Sequence, residues 1–144
     1  MWFSKKGADK SPDETPKGQI TTKAVGDAAE SIALAHLRTA GLTLLETNYR
    51  TPGSGGGEID LIMKDADGTL VFVEVRQRAS QSHGGAGASI SAVKQKRIVF
   101  AARTYLMRFK TLPPCRFDVV LIHGGLGAGN APEIEWLRSA FDAF

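Results

Sequence analysis

The sequence predicts an α/β domain in which a central mixed sheet is flanked by helices, in the order α-β-β-β-α-β-β. Three observations carry that prediction. Two stretches, near residues 22–40 and 92–109, repeat apolar residues at helical spacing. Between and after them lie runs of strand length rich in Val, Ile, Leu and Phe. The tetrapeptide DADG at 65–68 joins two of those runs in the manner of a hairpin.

The elements follow in order. Residues 1–19 are polar and broken by Pro12, Pro16 and Gly18, so they read as a disordered tail ahead of a single domain at 20–144. Thr21 or Thr22 can cap a first helix running to about Ala40, with Val25, Ala28, Ala29, Ile32 and Leu37 on one face. Gly41 suits the position after its last turn, where positive φ is required. LTLLETNYR is the first strand and TPGSGGG a loop. Glu58–Lys64 and Leu70–Arg76 are the next two strands, turned by Asp67-Gly68. After the loop RASQSHGGAGAS, Ser91 can cap a long helix from Ala92 to Phe109, with Ile98, Ala101, Ala102, Tyr105 and Leu106 inward. Pro113-Pro114 breaks the chain, RFDVVLI is the fourth strand, and EIEWL is a short fifth.

With 144 residues, 42% of them hydrophobic and 23% charged, the chain has the length and composition of one globular domain with a real core. The net charge of +3 says little, but its distribution is uneven. Between Glu74 and Asp118 there is no acidic residue and there are nine basic ones, including Arg76, Arg78, Lys94, Lys96 and Arg97. That segment is either a positive field that attracts a polyanion or a solvated helix face. The single cysteine, Cys115, excludes an internal disulfide and a cysteine-based zinc cluster. With no apolar run of membrane-spanning length and no signal-like leader, the expectation is a cytoplasmic protein with no membrane partner.

Two carboxylates sit where strands ought to be apolar. Alternation places Glu58, Asp60 and Ile62 on one face of their strand, and Phe72, Glu74 and Arg76 on one face of the next. If those faces coincide, Asp60 and Glu74 converge, and they repel one another unless a cation lies between them. Hard oxygen donors on a sheet suit Mg²⁺ or Mn²⁺, which would acidify a bound water and stabilise a phosphoryl transition state. Ordinary sheet ion pairs with arginine are the alternative.

The run GEIDLIMKDADGTLVFVEVRQR resembles the Asp…Glu-x-Lys core of the PD-(D/E)xK nuclease superfamily, which has the restriction-endonuclease-like fold. More closely, GDAAESIALAHL, NYR at 48–50, GEIDLI, VFVEVRQR, KQKRIVFAARTYL and RFDVV together resemble the YraN-like family of small bacterial proteins, which are similar to archaeal Holliday-junction resolvases. The likeness spans roughly residues 24–144. It implies that Asp60 and Glu74 are metal ligands and that Glu30 is an additional acidic group at the metal, the alternative being an exposed helix glutamate. It also implies that Lys94 approaches the site, against the alternative of a solvated lysine. The implied function is metal-dependent cleavage of DNA, with branched DNA among the substrates; the alternative is a non-catalytic nucleic-acid-binding module. A four-way junction is two-fold symmetric, so a junction-acting protein is expected to be a homodimer.

One departure stands out. Arg76 occupies the position where the motif has lysine, and arginine stays protonated, so it can clamp phosphate but cannot act as a base. Arg78, Lys96 and Arg97 join Arg76 and Lys94 as candidate nucleic-acid contacts. The glycine-rich loops lack a P-loop signature, and His36, His83 and His123 share no ligand spacing.

Overall fold

A computed structural model of the chain describes residues 22–53, 55–78, 90–124 and 131–142; the expected tail at 1–19 and His83 lie outside them. Helix α1 (Thr22–Thr39) closes as Gly41 anticipates. Gly41 has φ +104°, its N–H donates to the Arg38 carbonyl at 3.0 Å, and the Leu42 N–H donates to the Leu37 carbonyl at 3.1 Å. That pair of bonds is a Schellman closure, satisfying carbonyls the helix leaves open.

Strands β1 (Thr43–Arg50), β2 (Glu58–Lys64) and β3 (Leu70–Arg78) then run as an antiparallel meander. Asp67 and Gly68 make the β2–β3 turn: Gly68 has φ +93°, and the Asp67 carboxylate accepts the Thr69 N–H at 2.9 Å. Helix α2 (Ala92–Leu106) carries the chain across to β4 (Cys115–His123), which pairs parallel to β3, and β5 (Glu133–Phe141) returns antiparallel. The sheet order is β1-β2-β3-β4-β5, a mixed five-stranded sheet with the expected element sequence.

Alternation along the central strands builds the two faces. Leu70 and Phe72 of β3, with Phe117, Val119 and Leu121 of β4, pack under Ile98, Ala101, Ala102 and Tyr105 of α2. Val71, Val73, Val120 and Ile122 point the other way, against Ala29, Ala33 and Leu37 of α1. Strands covered on both faces read as continuous apolar runs, as VFV and VVLI do.

Three boundaries differ from expectation by two residues or more. Strand β3 runs to Arg78, not Arg76, because its parallel pairing with β4 continues to His123. Helix α2 ends at Leu106, not Phe109, because Leu106 is its last buried side chain; Met107 is 81% exposed and the chain tightens into i→i+3 bonds. Strand β5 has nine residues, not five. Its ladder with β4 slips where Asp118 alone opposes residues 138–140, and Ser139 takes φ +50°. The buried Asp118 carboxylate fills that break, accepting the Ser139 N–H at 2.9 Å and the Trp136 indole N–H at 3.0 Å. Arg116 donates from Nε to the same carboxylate at 3.1 Å and from Nη1 to Asp65 at 3.0 Å. Arg116 is therefore turned into the protein and adds nothing to a basic surface.

Removing a buried carboxylate that pairs with a partly buried guanidinium leaves that charge uncompensated. Asp118→Ala is expected to cost about 3–5 kcal/mol of unfolding free energy. Asp118→Asn, which keeps an acceptor for Ser139, is expected to cost less. Urea midpoints of the two variants against wild type measure both.

Candidate functional site

Strands β2 and β3 are paired from Lys64↔Leu70 to Leu61↔Val73, and there the ladder stops. Beyond it, β2 stays with β1 out to Arg50↔Glu58, while β3 stays with β4 out to Arg78↔His123. The sheet thus forks, and Asp60 and Glu74 are the first residues inside the fork.

The faces at the fork are not those of simple alternation. Ile59 and Ile62 both belong to the cluster under α2, whereas Leu61 and Met63 belong to the one under α1. Residues three apart cannot share a face of a regular strand, so the alternation slips across Asp60. The partner strand is irregular at the same point but stays in register: Asn48 has φ +50°, a conformation asparagine tolerates better than most residues. The expected grouping of Glu58, Asp60 and Ile62 on one face therefore fails. Asp60 turns into the fork and accepts the Val75 N–H at 2.8 Å, a ladder donor that a β2 carbonyl would otherwise satisfy.

Five elements contribute to one chain of polar groups. Glu30 of α1 is hydrogen-bonded by the Asn48 side chain of β1 and feels the charge of Asp60. Asp60 of β2 is hydrogen-bonded to Glu74 of β3. The Glu74 carboxylate also lies 3.5 Å from the Lys94 ammonium, in the first turn of α2. Ser91 fixes that turn by accepting the Lys94 N–H at 3.1 Å, as the sequence predicts. Asn48 is a participant that residue chemistry alone does not single out; its place in the NYR segment is the only signal.

Burial, then the charge of Asp60, pushes Glu74 up to about 7, with Lys94 pulling the other way. Burial raises Asp60 as well, against the Val75 and Glu74 hydrogen bonds. Burial and the Asp60 charge likewise raise Glu30. Near neutral pH a proton on Glu74, donated to Asp60, relieves the repulsion between the pair.

The remaining candidates distribute unevenly. Arg76 follows Glu74 into a groove of about 400 Å³ that Ser91 and Lys94 also line. Arg97 lines a neighbouring cavity, again with Lys94. Lys96 faces a different groove, beside Phe100 and Arg103. Arg78 ends β3, next to His123 of β4. Among the described residues, no group of three or more His, Cys, Asp or Glu stands ready to hold a metal ion. Asp60 and Glu74 by themselves fit Mg²⁺ or Mn²⁺ in donor chemistry, since such ions often take one or two carboxylates and complete their shell with water and phosphate oxygen. No helix among the described residues is long and apolar enough to cross a membrane.

Comparison with known proteins gives a consistent result. Residues 29–122, which include Glu30, Asn48, Asp60, Glu74, Arg76 and Lys94, match "Uncharacterised protein family UPF0102". A UPF0102 protein of Polaromonas naphthalenivorans (strain CJ2) is 66% identical, with 99% of each chain covered. One of Polaromonas sp. (strain JS666 / ATCC BAA-500) is 63% identical, again over 99% of each. One of Paracidovorax citrulli (strain AAC00-1) is 64% identical over 87% of each.

The fork makes stability depend on pH. Glu74 binds its proton more tightly in the fold, near 7, than at its ordinary 4.5. Its contribution is complete below about pH 4.5 and is lost as the pH rises through 7. Glu74→Gln keeps the donor to Asp60 and removes the charge. In EDTA it is expected to melt roughly 5 °C above wild type at alkaline pH and to lose that advantage toward pH 5, as thermal unfolding across the range will show.

Proposed function

The chain belongs to the UPF0102 family, and from that premise we propose that it is a metal-dependent phosphodiester hydrolase acting on DNA, with the fork as its reaction site. The observation that carries this reading is the meeting of Asp60 and Glu74 at the end of a broken ladder, with the Lys94 ammonium against Glu74. Two carboxylates are forced together there at a cost in repulsion and desolvation that a purely structural site has no reason to bear.

Each residue has a definite part. Asp60 and Glu74 would hold Mg²⁺ or Mn²⁺, which supplies an acidified water and charge stabilisation at phosphorus. Glu30, positioned by Asn48, would orient water in the ion's outer shell. Arg76 would bind a non-bridging phosphate oxygen and remain protonated throughout. The order Asp60…Glu74-x-Arg76 fits the PD-(D/E)xK likeness except at its last position. Lys94 offers a reason why that exception is tolerable: it brings an ammonium to Glu74 from α2 instead of from β3. The restriction-endonuclease-like topology and the likeness to junction resolvases make branched DNA the substrate class of choice, cut by two copies of the chain on a two-fold symmetric junction.

A non-catalytic DNA-binding module is the second reading, and one observation favours it. The Lys94–Glu74 pair compensates the carboxylates without any metal, and Arg76 cannot serve as a base. Calorimetry with Mn²⁺ separates the two readings: the hydrolase binds the ion and the module does not.

Cleavage of linear, forked and four-way DNA in Mg²⁺ or Mn²⁺ tests the proposal directly. Asp60→Asn and Glu74→Gln are each expected to lower the rate at least about a hundredfold, the scale of roughly 3 kcal/mol of lost transition-state stabilisation. Activity that persists in both variants would remove the reaction from the fork.

A further inference from the structure

Beside the fork lies a cavity of about 280 Å³ that the carboxylate pair does not use. Its floor is the β1–β2 loop, and its wall is the first turns of α2. The loop is closed on itself: the Thr51 N–H donates to the Gly57 carbonyl at 3.1 Å, and the Gly57 N–H donates to the Thr51 hydroxyl at 2.8 Å. It is also pressed onto the helix, since a Cβ on Gly57 would collide with the Arg97 carbonyl. The cavity is therefore preformed by backbone contacts and does not depend on side chains folding over a ligand.

Its charge is one-sided. Arg50, Lys94 and Arg97 line it with one carboxylate, Glu58, which lies 3.6 Å from Arg50; Lys94 is shared with Glu74 at 3.5 Å, and Arg97 faces it from the next turn of α2. Three cations around one backbone-built hollow suit a tetrahedral oxyanion better than an apolar or cationic ligand. Lys94 also lines the groove at Glu74 and Arg76, so the two hollows share a wall. A ligand with one anionic group at the fork and another a short distance along would occupy both.

We propose that this cavity is a second phosphate subsite, which seats a phosphodiester next to the reacting one on the same nucleic-acid strand. Its assignment as an anion site rests on Arg50, Lys94 and Arg97 and the Gly57 contact; only the placing of the reacting phosphate at the fork rests on the function proposed above. Occupying both hollows fixes the strand in register, so that the phosphate between Arg76 and the carboxylates is selected by position and not by base identity.

Binding of a labelled DNA duplex by the full chain in EDTA, followed by fluorescence anisotropy from about 50 to 200 mM salt, tests the subsite without any metal. Arg97 is exposed, so Arg97→Gln is not expected to disturb folding. It should weaken binding about tenfold at low salt and lower the salt slope by about 1. Gly57→Ala, which lifts the loop from α2, should weaken binding in the same direction. Lys64→Gln, exposed at the end of β2 away from the fork, should leave both quantities unchanged. The subsite is overturned if Arg97→Gln binds as wild type does, if Lys64→Gln weakens binding equally, or if wild type has no affinity at low salt. Calorimetry with Mn²⁺ on wild type and Asp60→Asn keeps the two ideas apart. Metal binding at the fork with an inert Arg97→Gln removes the subsite alone. A weakened Arg97→Gln without metal binding removes the fork reading alone.

Discussion

The fork between β2 and β3 rests on one hydrogen bond, from the Val75 N–H to the Asp60 carboxylate. Where a ladder ends inside a sheet, the next donor needs an acceptor or it is left unsatisfied at a loss comparable to a hydrogen bond. Asp60 provides that acceptor from its side chain. β2 is thereby free to leave β3 without exposing an orphan, and the hollow beside the opening is lined by Glu74, Arg76 and Lys94. Glu74, Lys94 and Arg76 have their positions because the sheet divides at that residue.

The same device appears a second time with the opposite outcome. Asp118 fills the slip between β4 and β5 by accepting the Ser139 N–H. There the carboxylate is saturated by Arg116 and the Trp136 indole and is closed off from solvent, so it holds an edge strand and nothing more. Among the described residues, Asp60 has the Val75 N–H and a second carboxylate beside it, with an ammonium on the far side of Glu74. What separates the two aspartates in this fold is the company each keeps. One is neutralised by a permanent guanidinium, while the other shares a labile proton.

Charge along the chain is sorted by the same logic. Nine basic residues in one segment suggest a broad positive face, but the fold divides them. Arg116 is consumed by Asp118 and Asp65, and Arg108 lies 3.8 Å over the Tyr105 ring and near Glu46. Lys96 looks across a separate groove. Lys94 and Arg97 remain beside the fork, joined by Arg50 from β1, outside that basic segment. The electrostatics of the site are therefore local, set by three or four side chains on preformed backbone.

The sequence by itself determined the element order, the Gly41 and Ser91 caps, the Asp67-Gly68 turn and the two apolar faces of the sheet. Each of these is encoded by neighbours within a few residues, through periodicity or a required φ. It also singled out Asp60 and Glu74, because a carboxylate in an apolar strand is conspicuous without any fold. Only the tertiary structure decided how they meet. Strict alternation would have grouped Asp60 with Ile62, but the strand changes face at Asp60 opposite Asn48 while the ladder stays in register, and no residue pattern within β2 announces it. The extension of β5 was hidden because Arg138 and Ser139 interrupt its apolar pattern, and Ser139 is held by Asp118 from another strand. The meeting of Lys94 with Glu74 across 20 residues, and of Gly57 with Arg97 across 40, depends on α2 packing over β2 and β3. Local patterns fix what each segment becomes, while contacts between segments fix where the chemistry is placed.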